Sequence, residues 1–410
     1  MNNLSTDLHT TNRVSKVRPV KILHVVAYMH RAGIETLLMH ILRNIDRDLF
    51  QMDFMVHCPK SYEYNEEILS LGSRIIVSPQ INWKKWWIYG ASFQQILREY
   101  GPYDIVHGHV DYANGNIVRL AKGAGVPVRI VHSHNDTSTL TAEAGRKQRF
   151  LKNVLKFFIS HYATVGLACS QEAAVDLFGS HWQSDRRWQI FYSGLDLTPF
   201  QEPVNSAEVR AELGIPQDAF VIGHVGRFAL QKNHQFLVKI TAEVARQESK
   251  TYLLSIGTGS LRSEIENQLA QLGLTDRVIF AGTRSDVPRL MLGAMDVFVF
   301  PSNYEGLGLV LIEAQAAGLP CVISDVIPEE ADVVEPLMKR LSLSQPASEW
   351  ARVILAQKKA DLPIKQPEAL SILQHDSPFS IKTCVKNLTD IYSNECAREI
   401  LPTKKSLNNQ

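Results

Sequence analysis

The sequence predicts an α/β protein built from two doubly wound parallel-sheet domains that face each other across a cleft. Three observations carry this. The 410 residues exceed what one hydrophobic core usually supports. Short apolar, β-rich runs alternate with stretches of helical spacing, the pattern of a parallel sheet covered on both faces. The alternation also runs twice, interrupted near 199–206 by a link containing Pro, Asn and Ser.

Residues 1–18 are polar and aperiodic and are expected to form a disordered tail. The first domain, 19–198, opens with VKILHVVAYM (20–29), followed by AGIETLLMHILRNI, whose apolar residues recur at helical spacing. FQMDFMVHC (50–58), SRIIVSP (73–79), YDIVHGHV (103–110), VRIVHSH (128–134) and TVGLACS (164–170) continue as strands between helices. RWQIFYSGLDLTPF (187–200) supplies a last strand and a turn. The second domain, 199–379, repeats the scheme with FVIGHVGR (220–227), TYLLSIGTG (251–259), RVIFAG (277–282), DVFVFPS (296–302) and PCVISD (320–325). SIKTCVKNLTDIYSNEC (380–396) reads as one amphipathic helix with no strand after it. Residues 380–410 are therefore expected to be a helix that returns to the first domain, and a tail.

A net charge of +1 gives no global signal for nucleic acid, and none is expected as a partner. The charge is unevenly spread, however. Residues 1–195 carry 22 Lys and Arg against 16 Asp and Glu, about +6, and the remainder is about −5, which points to a basic face on the first domain. Cys58, Cys169, Cys321, Cys384 and Cys396 are widely spaced with no C-x-x-C, so neither a disulfide framework nor a zinc-cysteine site is expected and a reducing cytosol fits. The N-terminal stretch lacks the apolar core of a signal peptide, and no run of about 18 apolar residues predicts a membrane span. A cytoplasmic protein is expected.

In open α/β sheets ligands bind beyond the carboxyl ends of the strands, so the loops there carry the functional reading. HVGRFALQKN (224–233) follows a strand and opens a helix at about Asn233. Gly226 allows a sharp bend, and Arg227 and Lys232 set two cations beside a helix N-terminus, an arrangement suited to a diphosphate; two solvated cations on a loop are the alternative. SIGTGSLRSEI (255–265), with Gly257, is either part of a phosphate-binding turn or only a tight turn, and FAGTRSDVPRLM (280–291) adds Arg284 and Asp286 after another strand. In VFVFPSNYEGLGLVLIEAQAAG, Gly306, Leu307 and Gly308 precede a helix whose N–H groups point at the same place, and Glu305 and Glu313 stand eight positions apart. A carboxylate accepts well from the vicinal hydroxyls of a sugar, and Glu313, about 7.5 Å up the helix, reaches another part of a long ligand such as a ribose. Glu305 so near a phosphate must be offset by something. Glu313 paired with a core Arg or Lys, with Glu305 a surface acid, is the bland alternative; a nucleotide-sugar answers both.

The ordered set GRFALQKN, AGTRSDV, PSNYEGLG, AGLPCVISD, ACSQEAA (168–174) and YSGLDLTPF, with HRAGIETLLMHILRNID (30–46), RIVHSHND (129–136) and the E-x7-E of Glu305 and Glu313, resembles retaining glycosyltransferases of the GT-B fold, family 4, over about residues 20–395. The resemblance implies two Rossmann-like domains, a UDP-sugar donor bound mainly by the second, and transfer to a glycan or lipid-linked glycan in cell-surface polysaccharide assembly. It places Arg227 and Lys232 on the diphosphate, Glu313 on the ribose, Glu305 on the transferred sugar and the 306–308 amides nearby. Gly33 would face the diphosphate from the first domain, although Ala32-Gly33 stands where many relatives have two glycines. His134, or His132 in the other register, would contact the donor sugar. The resemblance implies no metal and no other cofactor, the leaving group being stabilised by Arg, Lys and the helix dipole.

Two rivals share these residues. His107, His109, His132 and His134 form two H-x-H pairs whose members point the same way in a strand, as in metal-dependent hydrolases. A nucleotide-sugar epimerase on the same fold is the other. Separately, RKQRFLKNVLKFFISHYA (146–163) interleaves Arg146, Lys147, Arg149, Lys152 and Lys156 with Phe150, Leu151, Val154, Leu155, Phe157 and Phe158. It reads either as a basic amphipathic helix resting on an anionic membrane at the inner face of the cell membrane, together with NWKKWWIYG (82–90), or as a helix packed on the sheet with its cations in water.

Overall fold

Parallel strands make up both sheets, and the central ones, such as β4, β5, β11 and β12, are buried on both faces, as their continuous apolar runs require. The computed structural model describes residues 18–31, 33–57, 63–79, 86–134, 145–359, 364–375 and 377–400; Cys58, Asn135, Asp136, residues 82–85, residues 1–17 of the first expected tail and residues 401–410 fall outside them, while Arg18, placed in that tail, is bonded to Asp104 at 2.7 Å. The first sheet has 7 strands, β1 (Val20–Val26), β2 (Phe50–Val56), β3 (Ile75–Val77), β4 (Ile105–Gly108), β5 (Val128–Ser133), β6 (Val165–Ala168) and β7 (Trp188–Ile190), in the order β3-β2-β1-β4-β5-β6-β7. The second has 6, β8 (Phe220–Val225), β9 (Thr251–Ile256), β10 (Val278–Gly282), β11 (Val297–Phe300), β12 (Cys321–Ser324) and β13 (Met338–Leu341), in the order β10-β9-β8-β11-β12-β13. The strand order reverses at β1 in the first sheet and at β8 in the second, and these switch points are where a doubly wound sheet opens a crevice.

β1 shows how sequence becomes layer. Ile22 and Val26 join the cluster formed with the Gly33–Asn44 helix, while Leu23 and Val25 point to the opposite face, against Tyr89 and Phe93. All four β1 residues are at most 1% exposed. Full burial of such a side chain contributes about 1.5–3 kcal/mol, so a strand slipped by one residue would forfeit several of these at once. His24 shares the face of Ile22 and Val26 and pairs in register with His107 of β4.

The chain passes between the domains twice. Leu195 accepts from the Ile381 N–H at 3.0 Å and donates to the Phe379 carbonyl at 2.7 Å, so the two passes are bonded to each other. Gly194 permits this: a Cβ there would lie 2.4 Å from the Cys384 Cβ. Leu195, Leu197 and Phe200 already belong to the second-domain core. The Ile381–Ile400 helix returns to the first domain, where Ile381, Cys384, Leu388, Tyr392 and Cys396 complete the core over β1, β4 and β5.

β13 is a strand that the sequence does not announce. Lys339 and Arg340 break its apolar pattern, and it survives at the sheet edge because Arg340 reaches Asp332 at 2.7 Å. The Arg146–Tyr162 helix buries Lys152, Leu155 and Ile159. Lys152 lies inward, 2.9 Å from Asp176, and Lys156 also bonds to Asp176, so two of the five cations on this stretch serve packing. Arg146, Lys147 and Arg149 are exposed beside Phe150 and Phe157, which stand 71% and 62% exposed. Among the described residues no helix is long and apolar enough to cross a membrane.

Candidate active site

The carboxyl end of β8 leads into the 226–233 loop, and that of β11 into the 301–308 loop, so both sides of the second switch point carry candidate residues. A short 3-10 turn, Leu230–Lys232, and Asn233 in the left-handed region precede the His234–Gln247 helix. The Lys232 stem folds back past Gly226, where a Cβ would sit 3.0 Å from Lys232 Cγ and 3.1 Å from Cδ. Its Nζ donates to Glu305 Oε1 at 2.6 Å and lies 4.5 Å from the Phe300 ring centre. Gln231 Nε2 donates to the other Glu305 oxygen at 3.2 Å. The Lys232 and Glu305 side chains are only 15% and 5% exposed, so each is the other's compensation for burial. Lys232 is the charge that offsets Glu305.

Gly308, at φ 81°, caps the Leu309–Ala316 helix, and Glu313 is the fifth residue of that helix. Burial raises the Glu313 carboxyl to about 7 from an ordinary 4.5. It makes no hydrogen bond or ion pair with another described residue, so the bland pairing with a core cation is not what the structure contains. Leu307 is buried in the second-domain core and offers only its backbone, and Gly306 is buried beside it. Arg227 is exposed and also has no partner among the described residues. Its charge acts on Glu35, in the first turn of the Gly33–Asn44 helix, opposing the burial that pushes the Glu35 carboxyl up. The two domains therefore approach each other at Arg227 and Glu35.

Other residues take different parts. Gly257, at φ 136°, lets the β9 loop pack backbone to backbone on the β8 loop, since a Cβ would lie 2.1 Å from the Gly226 carbonyl oxygen. Arg284 donates to Asp286 at 2.7 Å and to Glu212 at 3.1 Å, so a phosphate would compete with two carboxylates for it. Gly33 is exposed, with nothing within 4 Å of the place a Cβ would take, so a side chain there would meet no crowding. Ala32 lies outside the described residues.

At the first switch point the histidines form one buried cluster. His134 Nε2 lies 2.8 Å from His109 Nδ1, and His109 Nε2 lies 3.0 Å from His24 Nδ1. His107 Nδ1 meets the Tyr392 hydroxyl at 2.9 Å, and neither ring nitrogen of His132 has a partner. Desolvation pushes His24 and His134 down to about 3, and desolvation together with the neighbouring imidazoles holds His107, His109 and His132 well below the ordinary value. All are neutral at pH 7. Sequence reasoning missed His24, Gln231, Glu35 and Tyr392. It missed Asp111 too, a half-buried non-glycine at φ 46° whose carboxyl is raised to about 6 by desolvation and by Asp176, and whose only signal was its place directly after the HGHV strand end.

The second domain matches the family described as Glycosyl transferases group 1 over residues 205–360, and the first matches the Glycosyl transferase 4-like domain over 32–186. The chain is 39% identical to the putative glycosyltransferase EpsF of Bacillus subtilis over 364 residues, 88% of this chain and 94% of that one. It is 30% identical over 234 residues, 55% of this chain and 58% of the other, to the Escherichia coli UDP-Gal:alpha-D-GlcNAc-diphosphoundecaprenol alpha-1,3-galactosyltransferase. Its fold matches that of Anabaena HepE in complex with UDP and glucose with a TM-score of 0.77 at 19% identity, covering 92% of this chain and 100% of that one. None of these relatives supports the epimerase or the hydrolase reading. The chain belongs to the GT-B glycosyltransferases of the family 4 type.

Proposed function

We propose that this glycosyltransferase moves a hexose or N-acetylhexosamine, with retention, from a UDP-sugar to a glycan or lipid-linked glycan acceptor in cell-surface polysaccharide biosynthesis. The observation that carries the reading is the buried Lys232–Glu305 ion pair, which joins the segment after β8 that carries Arg227 to the segment after β11 that carries Glu313, neither of whose side chains has a hydrogen-bond or ion-pair partner among the described residues. One exposed cation, one buried cation with its carboxylate, and one unsatisfied carboxyl along the helix suit, in turn, a diphosphate, a hexose and a ribose. The named activities of the relatives favour the same donor and acceptor classes: a UDP-galactose donor and a diphosphoundecaprenol-linked acceptor for the E. coli enzyme, and capsular polysaccharide biosynthesis for Staphylococcus aureus CapH, 27% identical over 319 residues.

Arg227 and Lys232 hold the diphosphate as it leaves, and the N–H groups ahead of the Leu309–Ala316 helix add to the same field. When the diphosphate takes up the Lys232 charge, Glu305 is released to accept from the hydroxyls of the transferred sugar. Glu313 accepts from the ribose diol. His134 meets the sugar from the first domain, with His132 the runner-up. No Mg2+ or Mn2+ is needed at the diphosphate. The exposed Phe150 and Phe157, with the basic residues between 146 and 149, rest on anionic lipid at the inner face of the cell membrane.

The test is a thermal-shift screen against UDP, GDP, ADP and CMP, followed by UDP release from a panel of UDP-sugars with and without Mg2+ and Mn2+. A shift specific to UDP, lost in Glu313→Ala, and product of retained anomeric configuration by NMR are expected. If no nucleotide stabilises the protein, the donor site is wrong.

A further inference from the structure

The histidine cluster contains more imidazole than a sugar contact uses. His24, His107, His109, His132 and His134 fall into two sets of three, His24–His107–His109 and His109–His132–His134, and in each set one ring nitrogen from each residue lies within 4.8 Å of the other two. Register explains the gathering. His24 pairs with His107 across β1 and β4, His107 pairs with Ile130 across β4 and β5, and the second histidine of each H-x-H follows two residues on, on the same face. That face is roofed by the Ile381–Ile400 helix. The hydrogen bonds leave His24 Nε2, His107 Nε2 and both nitrogens of His132 buried without partners. Native interiors rarely tolerate so many orphaned polar atoms in one place unless something else binds them.

We infer that this cluster is a binding site for one borderline divalent transition ion, zinc foremost, ligated by His109 Nδ1, His134 Nε2 and a ring nitrogen of His132. A donor set of imidazoles without a carboxylate suits zinc, nickel or cobalt and disfavours Mg2+ and Ca2+, which take oxygen ligands. Zinc–imidazole bonds of about 2.0–2.1 Å in a tetrahedron set ligand nitrogens roughly 3.3 Å apart, and His109 and His134 stand 2.8 Å apart, so the rings part by about half an ångström as an ion replaces their hydrogen bond. The stacked rings of His132 and His134, with centroids 4.0 Å apart, must also turn so that their lone pairs converge. The ligand atoms must all present lone pairs, and the surroundings allow it. The His109 proton then sits on Nε2 and donates to His24 Nδ1, 3.0 Å away. His134 keeps its proton on Nδ1. The Tyr392 hydroxyl engages His107 Nδ1, so the roofing helix is tied to the same face of the sheet. The set with His132 is favoured over the one with His24 because both nitrogens of His132 are orphaned, and because His134, half-buried where His24 and His107 are sealed, gives an ion a way in. The ion would fix the ring and tautomer of His134 from behind, away from the diphosphate, and it implies no hydrolysis. The inference stands independently of the donor reading.

The test uses the full-length chain without a polyhistidine tag, expressed in zinc-supplemented medium. Elemental analysis should give roughly one transition ion per chain. The metal-stripped protein titrated with cobalt alone should develop the intense visible bands of a tetrahedral site. His132→Gln should weaken cobalt binding by at least about 100-fold while circular dichroism and melting remain near wild type. His109→Gln should do the same, and if it fails to fold, His132→Gln carries the test. Glu313→Ala, on the other domain, should bind cobalt like wild type even though it loses its response to UDP. A folded wild type with no ion and no cobalt bands overturns the inference. So does binding that survives His132→Gln, whether or not His107→Gln removes it.

Discussion

Glu313 gives a prediction whose sign and size both follow from its burial. Its carboxyl titrates near 7 in the folded protein against an ordinary 4.5, because desolvation disfavours the charged form. The folded state therefore holds this proton more tightly than the unfolded chain does. Wild-type stability from this group is fully present below pH 4.5, declines as pH rises, and has been lost above about 7. The interval is about 2.5 pH units, and at 1.36 kcal/mol for each it amounts to about 3.4 kcal/mol; the surface the residue retains reduces this to about 2–3 kcal/mol. Glu313→Gln keeps the shape and removes the titration. Urea unfolding of both proteins, followed by tryptophan fluorescence at pH 5 and pH 8, should show the variant gaining about 1.5–2 kcal/mol on wild type between the two conditions, since part of the effect is already spent at pH 5. Trp350, fully buried in the second domain, reports on the unfolding of that domain. The same variant should lose most of its affinity for UDP, so that the stabler protein is the poorer binder. A stability difference that stays constant with pH would refute the reasoning, since the carboxyl would then have to be solvated or paired.

The Lys232–Glu305 pair should behave as a buried unit. Lys232→Ala strands the Glu305 carboxylate and should cost about 3 kcal/mol in chemical denaturation, most of it recovered in Lys232→Ala/Glu305→Ala, while both variants lose transfer. Arg227→Ala removes an exposed, unpartnered group, so the melting temperature should hold within about 1–2 °C while KM for the UDP-sugar rises roughly tenfold; a KM left unchanged would take Arg227 out of the donor site. Replacing both Phe150 and Phe157 with Ala should reduce co-sedimentation with anionic vesicles without altering UDP release from a soluble acceptor. Equal sedimentation of the two proteins would remove this helix from the membrane.

What could be read ahead of the structure was what local pattern determines. The strands β1 to β12 are apolar runs of a few residues bounded by turns, so periodicity finds them, whereas β13 is an edge strand with Lys339 and Arg340 in its middle and reads as loop. Glycines and charges after strands drew attention to the second switch point. The pairings there were hidden, because Lys232 and Glu305 are 73 residues apart and Arg284 and Glu212 are 72 apart. His24 illustrates the limit best. As a single polar residue inside an apolar strand it carries no signal of its own, and only its register with His107 brings it into the cluster. Tyr392 meets His107 across 285 residues, a contact no local rule reaches. For the Arg146–Tyr162 helix the amphipathic pattern was legible, but not that Lys152 faces Asp176, since a cation on the apolar side looks like noise until its partner is seen.

The return of the Ile381–Ile400 helix to the first domain has a consequence for how the protein is made. Leu388 and Tyr392 fill the face over β1, β4 and β5, so a ribosome that has released the first domain has not yet released the residues that close its core. Until the second domain has been translated as well, the histidine-bearing side of the first sheet lacks its lid. A chain cut after the first domain would expose that apolar side to its neighbours, so the two halves ripen together, with the last helix as the final piece to dock.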